Sequence, residues 1–365
     1  MLFIVLCIIN YPPEGSFEPK LKLEAVTEQE SDAGKNMDNL LKEFNSKINA
    51  KDQELISKFE VSDSNKSEII ELLNKTDSDR KEIFEFISKN SIAIYHTYDT
   101  AGQYNLLSEQ DNYESSLSTL VSVFKLELLE IEILKADNKY DEAVDKYILL
   151  WNKLADAYKM KNAYMIDTLC FIGILKNLGD YYYNNQDIFV SYDLAGVAKL
   201  KDDIMVNIDR TYESAFANEY NIFKTKLESS RDIWPLMDKN KLLRKMDKLY
   251  YSITEYEKNP LGNYPIEEPI DLRSVRISDF FKGYTEEVIY TISAEMFSGL
   301  SSNIIGKKNE LSVYFYAMDK KNYQDVPKDY FTGEKFEVTD YPDRFEINVH
   351  TNIKLESPKK YVIIK

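Results

Sequence analysis

The sequence predicts a mainly α-helical fold: an irregular antiparallel helical bundle, or a set of stacked helical hairpins, with a small antiparallel β element at the C-terminus. Three observations predict it. Glycine and proline are scarce, 11 and 10 in 365 residues, and folds made of many strands need both at their turns. Apolar residues recur at three- and four-residue spacing along most of the chain, the period of a helix face. Only after Pro327 does the period shorten toward two.

The first nine residues, MLFIVLCII, are all apolar. A spanning helix needs roughly 20 residues, so residues 1–9 read as the remnant of a signal peptide or membrane anchor. The expectation is an exported or membrane-anchored protein facing the periplasm or exterior; the alternative is a cytoplasmic protein that buries this run. Lipidation at Cys7 stays open, because the residue before it is Leu6 and a lipoprotein signal carries a small residue there. Residues 10–35 include Pro12-Pro13 and Gly15-Ser16, show no apolar period, and read as a linker.

Residues 36–258 read as a helical domain. Met37, Leu40, Leu41, Phe44, Ile48, Leu55, Ile56 and Phe59 define one helix over 36–60. A second covers 66–74, and Thr76-Asp77-Ser78-Asp79 offers N-caps for a third that carries Ile83, Phe84, Phe86 and Ile87. Asp63-Ser64-Asn65 begins like a calcium loop, but Glu68 and Asn74 stand where that loop needs glycine and glutamate, so a helix cap is expected instead. A long periodic run spans 105–136. The stretch Ala136-Asp137-Asn138-Lys139-Tyr140-Asp141-Glu142-Ala143 then reads as the turn of an antiparallel hairpin, with acids in the first turn of the next helix and Ala143 at a close crossing. Helical pattern continues over 141–159, 162–183, 192–229 and 239–257. Pro260, Gly262, Pro265 and Pro269 mark 259–277 as a loop. Residues 278–365 read as a long helix to 318, with Gly299 or Gly306 as points of interruption, and then strands at 335–339, 344–350 and 361–364, packed on the helical domain.

The chemistry is sparse. The net charge is −16, from 46 basic and 62 acidic residues, which disfavours phosphate backbones and so a nucleic-acid partner. Two histidines, His96 and His350, lie far apart, and no H-E-x-x-H, phosphate loop or nucleophile elbow is present. Two cysteines, Cys7 and Cys170, give neither a disulfide framework nor a metal-ligand spacing. No cofactor or metal is expected. Tyrosine is abundant, with 27 residues. The runs Tyr181-Tyr182-Tyr183 and Tyr250-Tyr251 have two readings, helix packing or an interaction surface for a partner protein.

The turn at 136–143 resembles that of tetratricopeptide-type helix pairs, without a second copy about 34 residues away. The segment from Asn309 onward, NELSVYFYAMDKKNYQDVPKDYFTGEKFEV, resembles the C-terminal block of a loose group of exported, helical bacterial proteins, in which a helix leads through P-x-D-x-F-x-G into short strands. Pro327, Asp329, Phe331 and Gly333 carry the match. A similar turn precedes the last strands of type II secretion pseudopilins, whose methylated N-terminus and acidic calcium loop are missing here. The residues themselves predict a rigid structural turn: Pro327 fixes φ, Asp329 bonds a nearby amide, and Gly333 takes positive φ.

The function expected from this reading is non-enzymatic protein binding or scaffolding at the cell envelope. The alternatives are a carboxylate-dependent hydrolase acting on envelope or glycan material, and an accessory component of a secretion apparatus.

Overall fold

The computed structural model describes residues 19–20, 28–90, 110–157, 165–229, 239–258, 285–319, 325–351 and 359–365. The apolar run 1–9 with Cys7, His96 and the proline-rich loop 259–277 lie outside those residues. The chain is mainly helical, with a three-stranded antiparallel sheet at its C-terminus. Among the described residues no helix is long and apolar enough to cross a membrane.

Helix α1 covers Glu28–Lys47 and buries Met37, Leu41 and Phe44. It begins inside the stretch read as linker. Gln29, Asp32 and Lys35 are exposed there, so these two turns carry no apolar stripe to read. Helix α2, Ala50–Lys58, is separate from α1 although one apolar period runs through both. A capping box divides them: the Asp52 amide donates to Asn49 Oδ1 at 3.0 Å and the Asn49 amide to Asp52 Oδ2 at 3.0 Å.

Helix α3 runs unbroken over Lys66–Asn90, through the expected caps at 76–79. Thr76 and Asp79 are buried. The Thr76 hydroxyl donates back to the Leu72 carbonyl at 2.9 Å, and Lys47 Nζ donates to Asp79 Oδ1 at 2.6 Å. With Asp79 paired to Lys47 of α1 and Thr76 bonded back to the preceding turn of its own helix, neither side chain caps a new helix start.

Helices α4, Gln110–Ala136, and α5, Tyr140–Ala157, form the predicted hairpin. Asn138 has φ 60. The Lys139 amide donates to the Leu134 carbonyl at 2.9 Å and the Asn138 amide to that of Lys135 at 3.0 Å, a Schellman closure.

Helix α6, Met165–Asn184, is central and packs on α4. Instead of one long helix from 192, two single turns follow, α7 (Gln186–Phe189) and α8 (Ala195–Ala198), before α9 (Lys201–Ser229). Asn185 ends α6: its amide group donates to the Tyr181 carbonyl at 2.8 Å and its oxygen accepts from Lys135 Nζ at 2.6 Å. Phe189, Leu194 and Val197 then pin the irregular stretch to the core. Helix α10 is Lys239–Lys258, and α11 is Thr285–Met318. α9 and α11 both pack on α6, and α10 packs on α9 and α11.

Neither glycine interrupts α11. A Cβ on Gly306 would stand 2.2 Å from the Thr351 carbonyl oxygen, so Gly306 lets the chain leaving the sheet cross the helix in backbone contact. The rings of Trp151 on α5 and Phe315 on α11 lie 5.1 Å apart, and Tyr147 and Phe189 4.7 Å apart. These join the hairpin, the α6–α7 corner and α11 in one core.

Strands β1 (Glu337–Asp340), β2 (Arg344–Val349) and β3 (Lys359–Ile364) pair in the order β1-β2-β3. Phe345, Ile347, Val349, Tyr361 and Ile363 are buried. The opposite face is polar: Lys360 pairs with Glu346 at 2.5 Å, and Asn348 donates to Glu337 at 2.9 Å. This is the alternation of a sheet solvated on one side. Strand β2 packs on α11 and β3 on α7.

Candidate functional site

The tyrosines read as a possible interaction surface are mostly interior. Tyr181, Tyr182 and Tyr250 are 5%, 2% and 3% exposed, which corrects the surface reading for those three. Successive residues on a helix point about 100° apart, and Tyr181 and Tyr182 fall on the sides of α6 packed against its neighbours, while Asn177 and Asn184 mark its exposed side. The Tyr182 hydroxyl donates to the Ala317 carbonyl at 3.0 Å. Tyr250 meets the Phe216 ring at 5.3 Å. Tyr183 and Tyr251 are half-buried. Tyr183 faces β3, with 5.2 Å between its ring and that of Tyr361. Tyr251 has Lys20 Nζ 4.5 Å above its ring. The five therefore form no shared aromatic face.

What Tyr183 helps to build is a joint between the helices and the sheet. The Tyr361 hydroxyl donates to Glu310 Oε1, which also accepts from Lys359 Nζ at 2.9 Å. The Tyr314 hydroxyl donates to Asp180, whose other oxygen takes Lys176 Nζ at 2.6 Å. Burial pushes both phenols well above their ordinary range, and the carboxylates they bond push the same way. These phenols are fixed donors, unsuited to giving up a proton. A Cβ on Gly179 would stand 2.0 Å from the Tyr314 ring, so glycine lets that ring lie against α6.

The same joint closes one edge of the sheet. The Val362 amide donates to the Tyr183 hydroxyl at 3.1 Å, and the Ile364 amide to Gln186 Oε1 at 2.8 Å. Gln186 Nε2 returns a bond to the Val362 carbonyl at 3.0 Å. The Gln186 carboxamide thus takes the place of a peptide group in a neighbouring strand.

The expected rigid turn is formed as read. Gly333 has φ 69. The Gly333 amide donates to the Asp329 carbonyl at 2.7 Å and the Phe336 amide to the Pro327 carbonyl at 3.0 Å. Phe331 packs on Ile305 of α11. Buried Asp329 accepts from the Phe331 amide at 2.7 Å and from Asn309 Nδ2 at 3.0 Å through Oδ1, and bonds His350 Nδ1 at 2.7 Å through Oδ2. A carboxylate only accepts, so Nδ1 carries the hydrogen of this bond, which in the neutral ring leaves the lone pair on Nε2. The His350 side chain is 31% exposed.

Acids also meet in the helical half. Glu127 and Glu130 on α4 share Arg80 of α3 and Lys146 of α5: Arg80 bonds Glu127 and lies 2.8 Å from Glu130, and Lys146 lies 3.1 and 2.9 Å from the two. Burial alone would raise Glu130, but hydrogen bonds and charge from Lys146 and Arg80 outweigh it and hold the carboxyl below its usual range. A carboxylate so held suits an ion pair rather than a proton donor. Burial pushes the half-buried Cys170 thiol up, away from the thiolate. The cavity beside Phe124 and Leu178 has about 10 Å³, room for one water. Among the described residues no three His, Cys, Asp or Glu side chains gather as a metal site.

Asn309, Glu310 and Gln186 are the residues that sequence reading did not single out for this region. Their partners lie 20 to 178 positions away, and no local spacing marks them. Compared with known proteins, the chain matches no protein-family model, no curated protein and no solved structure.

Proposed function

We propose that the chain is a non-enzymatic binding or scaffolding protein of the cell envelope, holding a protein partner at its C-terminal sheet. The observation that carries this reading is the asymmetry of the sheet. Strand β3 is bound along its outer edge by Tyr183 and Gln186, while β1 is a short strand with Glu337, Thr339 and Asp340 exposed. A sheet fixed at one edge and accessible at the other can present a strand to a partner. The envelope location rests on the apolar residues 1–9.

Site-specific photo-crosslinking in native cells tests the reading. A photoreactive residue at Thr339 should give a discrete protein adduct, and one at Val206, which is 56% exposed on α9, should not. Equal labelling at both, or none at Thr339, contradicts it.

One observation favours hydrolytic chemistry as a second reading: Asp329 orients the partly exposed His350 ring through Nδ1 and leaves Nε2 on its far side, the arrangement a general base requires when the ring is neutral. That reading predicts an esterase or glycosidase activity that His350→Ala abolishes while the melting curve is unchanged. No turnover by the intact chain on a broad panel of such substrates dismisses it.

A further inference from the structure

We infer that β1 accepts a partner segment as a fourth strand, and that this segment is an extended basic peptide in which Lys or Arg alternates with apolar residues. The inference rests on the binding reading above and names its chemistry. The strand register gives the first part. Tyr341 N donates to the Arg344 carbonyl at 2.9 Å, which makes 341 and 344 a hydrogen-bonded pair. In an antiparallel ladder such pairs alternate with non-hydrogen-bonded ones. Counting back along the register, Thr339↔Glu346 and Glu337↔Asn348 are bonded pairs, while Asp340↔Phe345 and Val338↔Ile347 are not. The N–H and C=O groups of Val338 and Asp340 therefore point away from β2.

The same count on the other side of β2 places Val362 and Ile364 outward on β3. Those are the residues that Tyr183 and Gln186 bind, so the counting rule is verified where the answer is known. The hydrogen bonds among the described residues include none to the outward amides of Val338 and Asp340. An edge with unpaired main-chain groups is a template for another strand.

Charge selects the occupant. Residues 334–343 contain four acids, Glu334, Glu337, Asp340 and Asp343, against one base, Lys335. Lys365 bonds Asp340 and Arg344 reaches Asp343 at 3.4 Å, while among the described residues Glu337 meets no cation and accepts from the Asn348 amide group at 2.9 Å. A second copy of β1 is disfavoured because it brings the acids of one edge, Glu334, Glu337, Asp340 and Asp343, up to the same four of the other, like charge near like. An acidic or phosphorylated segment is repelled for the same reason. A basic strand places cations beside Glu337 on the solvated face. On the core face its apolar residues extend the surface begun by half-buried Val338. Few main-chain bonds are available, so the affinity is modest, with Kd on the order of 10–100 μM at low salt, falling as salt screens the charges.

The test is fluorescence anisotropy of the full chain with a labelled eight-residue peptide of alternating Lys and Val. Three comparison peptides complete it: Glu for Lys, N-methylation of alternate amides on the pairing edge, and N-methylation on the opposite edge. The inference expects binding of the parent and the opposite-edge peptide, and loss of more than tenfold with Glu or with methylation of the pairing edge. Asp340→Pro, which deletes one outward N–H, should weaken binding more than tenfold, and Asp340→Asn only a few-fold. Circular dichroism checks that both variants stay folded. Equal binding of the parent peptide and both methylated ones overturns the inference in favour of plain charge attraction, and no binding of the parent overturns it outright. A specific Thr339 adduct in cells together with a parent peptide that does not bind leaves the binding role standing and removes strand addition. Absence of both removes the two together.

Discussion

The two edges of the C-terminal sheet solve one problem in opposite ways. Both expose alternate backbone groups, at Val338 and Asp340 on β1 and at Val362 and Ile364 on β3. On β3 the helical body supplies partners from Tyr183 and Gln186, and Glu310 holds Tyr361 and Lys359 from below. On β1 there is only a short strand flanked by acids. The difference teaches that a sheet can be part of a helical protein's core along one edge and a surface feature along the other. Side chains that imitate peptide groups mark which edge is which.

The comparison can be broken from the closed side first. Glu310→Ala leaves the buried Tyr361 hydroxyl and the half-exposed Lys359 without their acceptor and should cost about 2–3 kcal/mol, the upper range for a hydrogen bond to a charged group. Urea unfolding followed by far-ultraviolet circular dichroism measures it, and a loss below about 1 kcal/mol means the joint is not what fastens β3. Gln186→Ala removes two main-chain contacts to β3 and should cost about 1–2 kcal/mol by the same measurement. Asp340→Pro on the open edge should cost less than about 1 kcal/mol, because the N–H it removes is unpaired and the ion pair it loses is exposed.

The smallest effect comes from the helical half, where Glu127 and Glu130 share Arg80 and Lys146. Glu130 has a folded pKa below its unfolded value of 4.5. The native state therefore binds fewer protons at acid pH. The stability from this group is complete above the unfolded value and is lost as pH falls through the folded one. Glu130→Gln should lower stability at neutral pH and flatten the stability profile as pH falls below the unfolded value of 4.5. A profile unchanged by the substitution means Arg80 and Lys146 do not favour the carboxylate.

Sequence reading found what local rules encode. The Schellman turn at Asn138, the strands after Pro327 and the Gly333 turn all follow from residues within a few positions of one another. It missed what tertiary contact decides. Asp79 looks like a cap because its type favours caps, but Lys47 of α1 claims it inside a continuous helix. Tyr181, Tyr182 and Tyr250 look available because tyrosine suits surfaces, but their positions fall on the packed sides of α6 and α10. Gly306 looks like a break and is a contact for Thr351, 45 residues away. Of the joint, Tyr183 and the turn residues Asp329 and Gly333 could be singled out. Gln186, Asn309 and Glu310 act on strands and turns that only the folded chain brings to them.

Amide hydrogen exchange of the full chain, resolved residue by residue across the sheet, tests the account most directly. The amides of Val362 and Ile364 should exchange slowly, near the rate of the paired amides of Phe345 and Ile347, while those of Val338 and Asp340 exchange orders of magnitude faster. Protection of Val338 and Asp340 equal to that of Val362 and Ile364, or free exchange at all four, would contradict it.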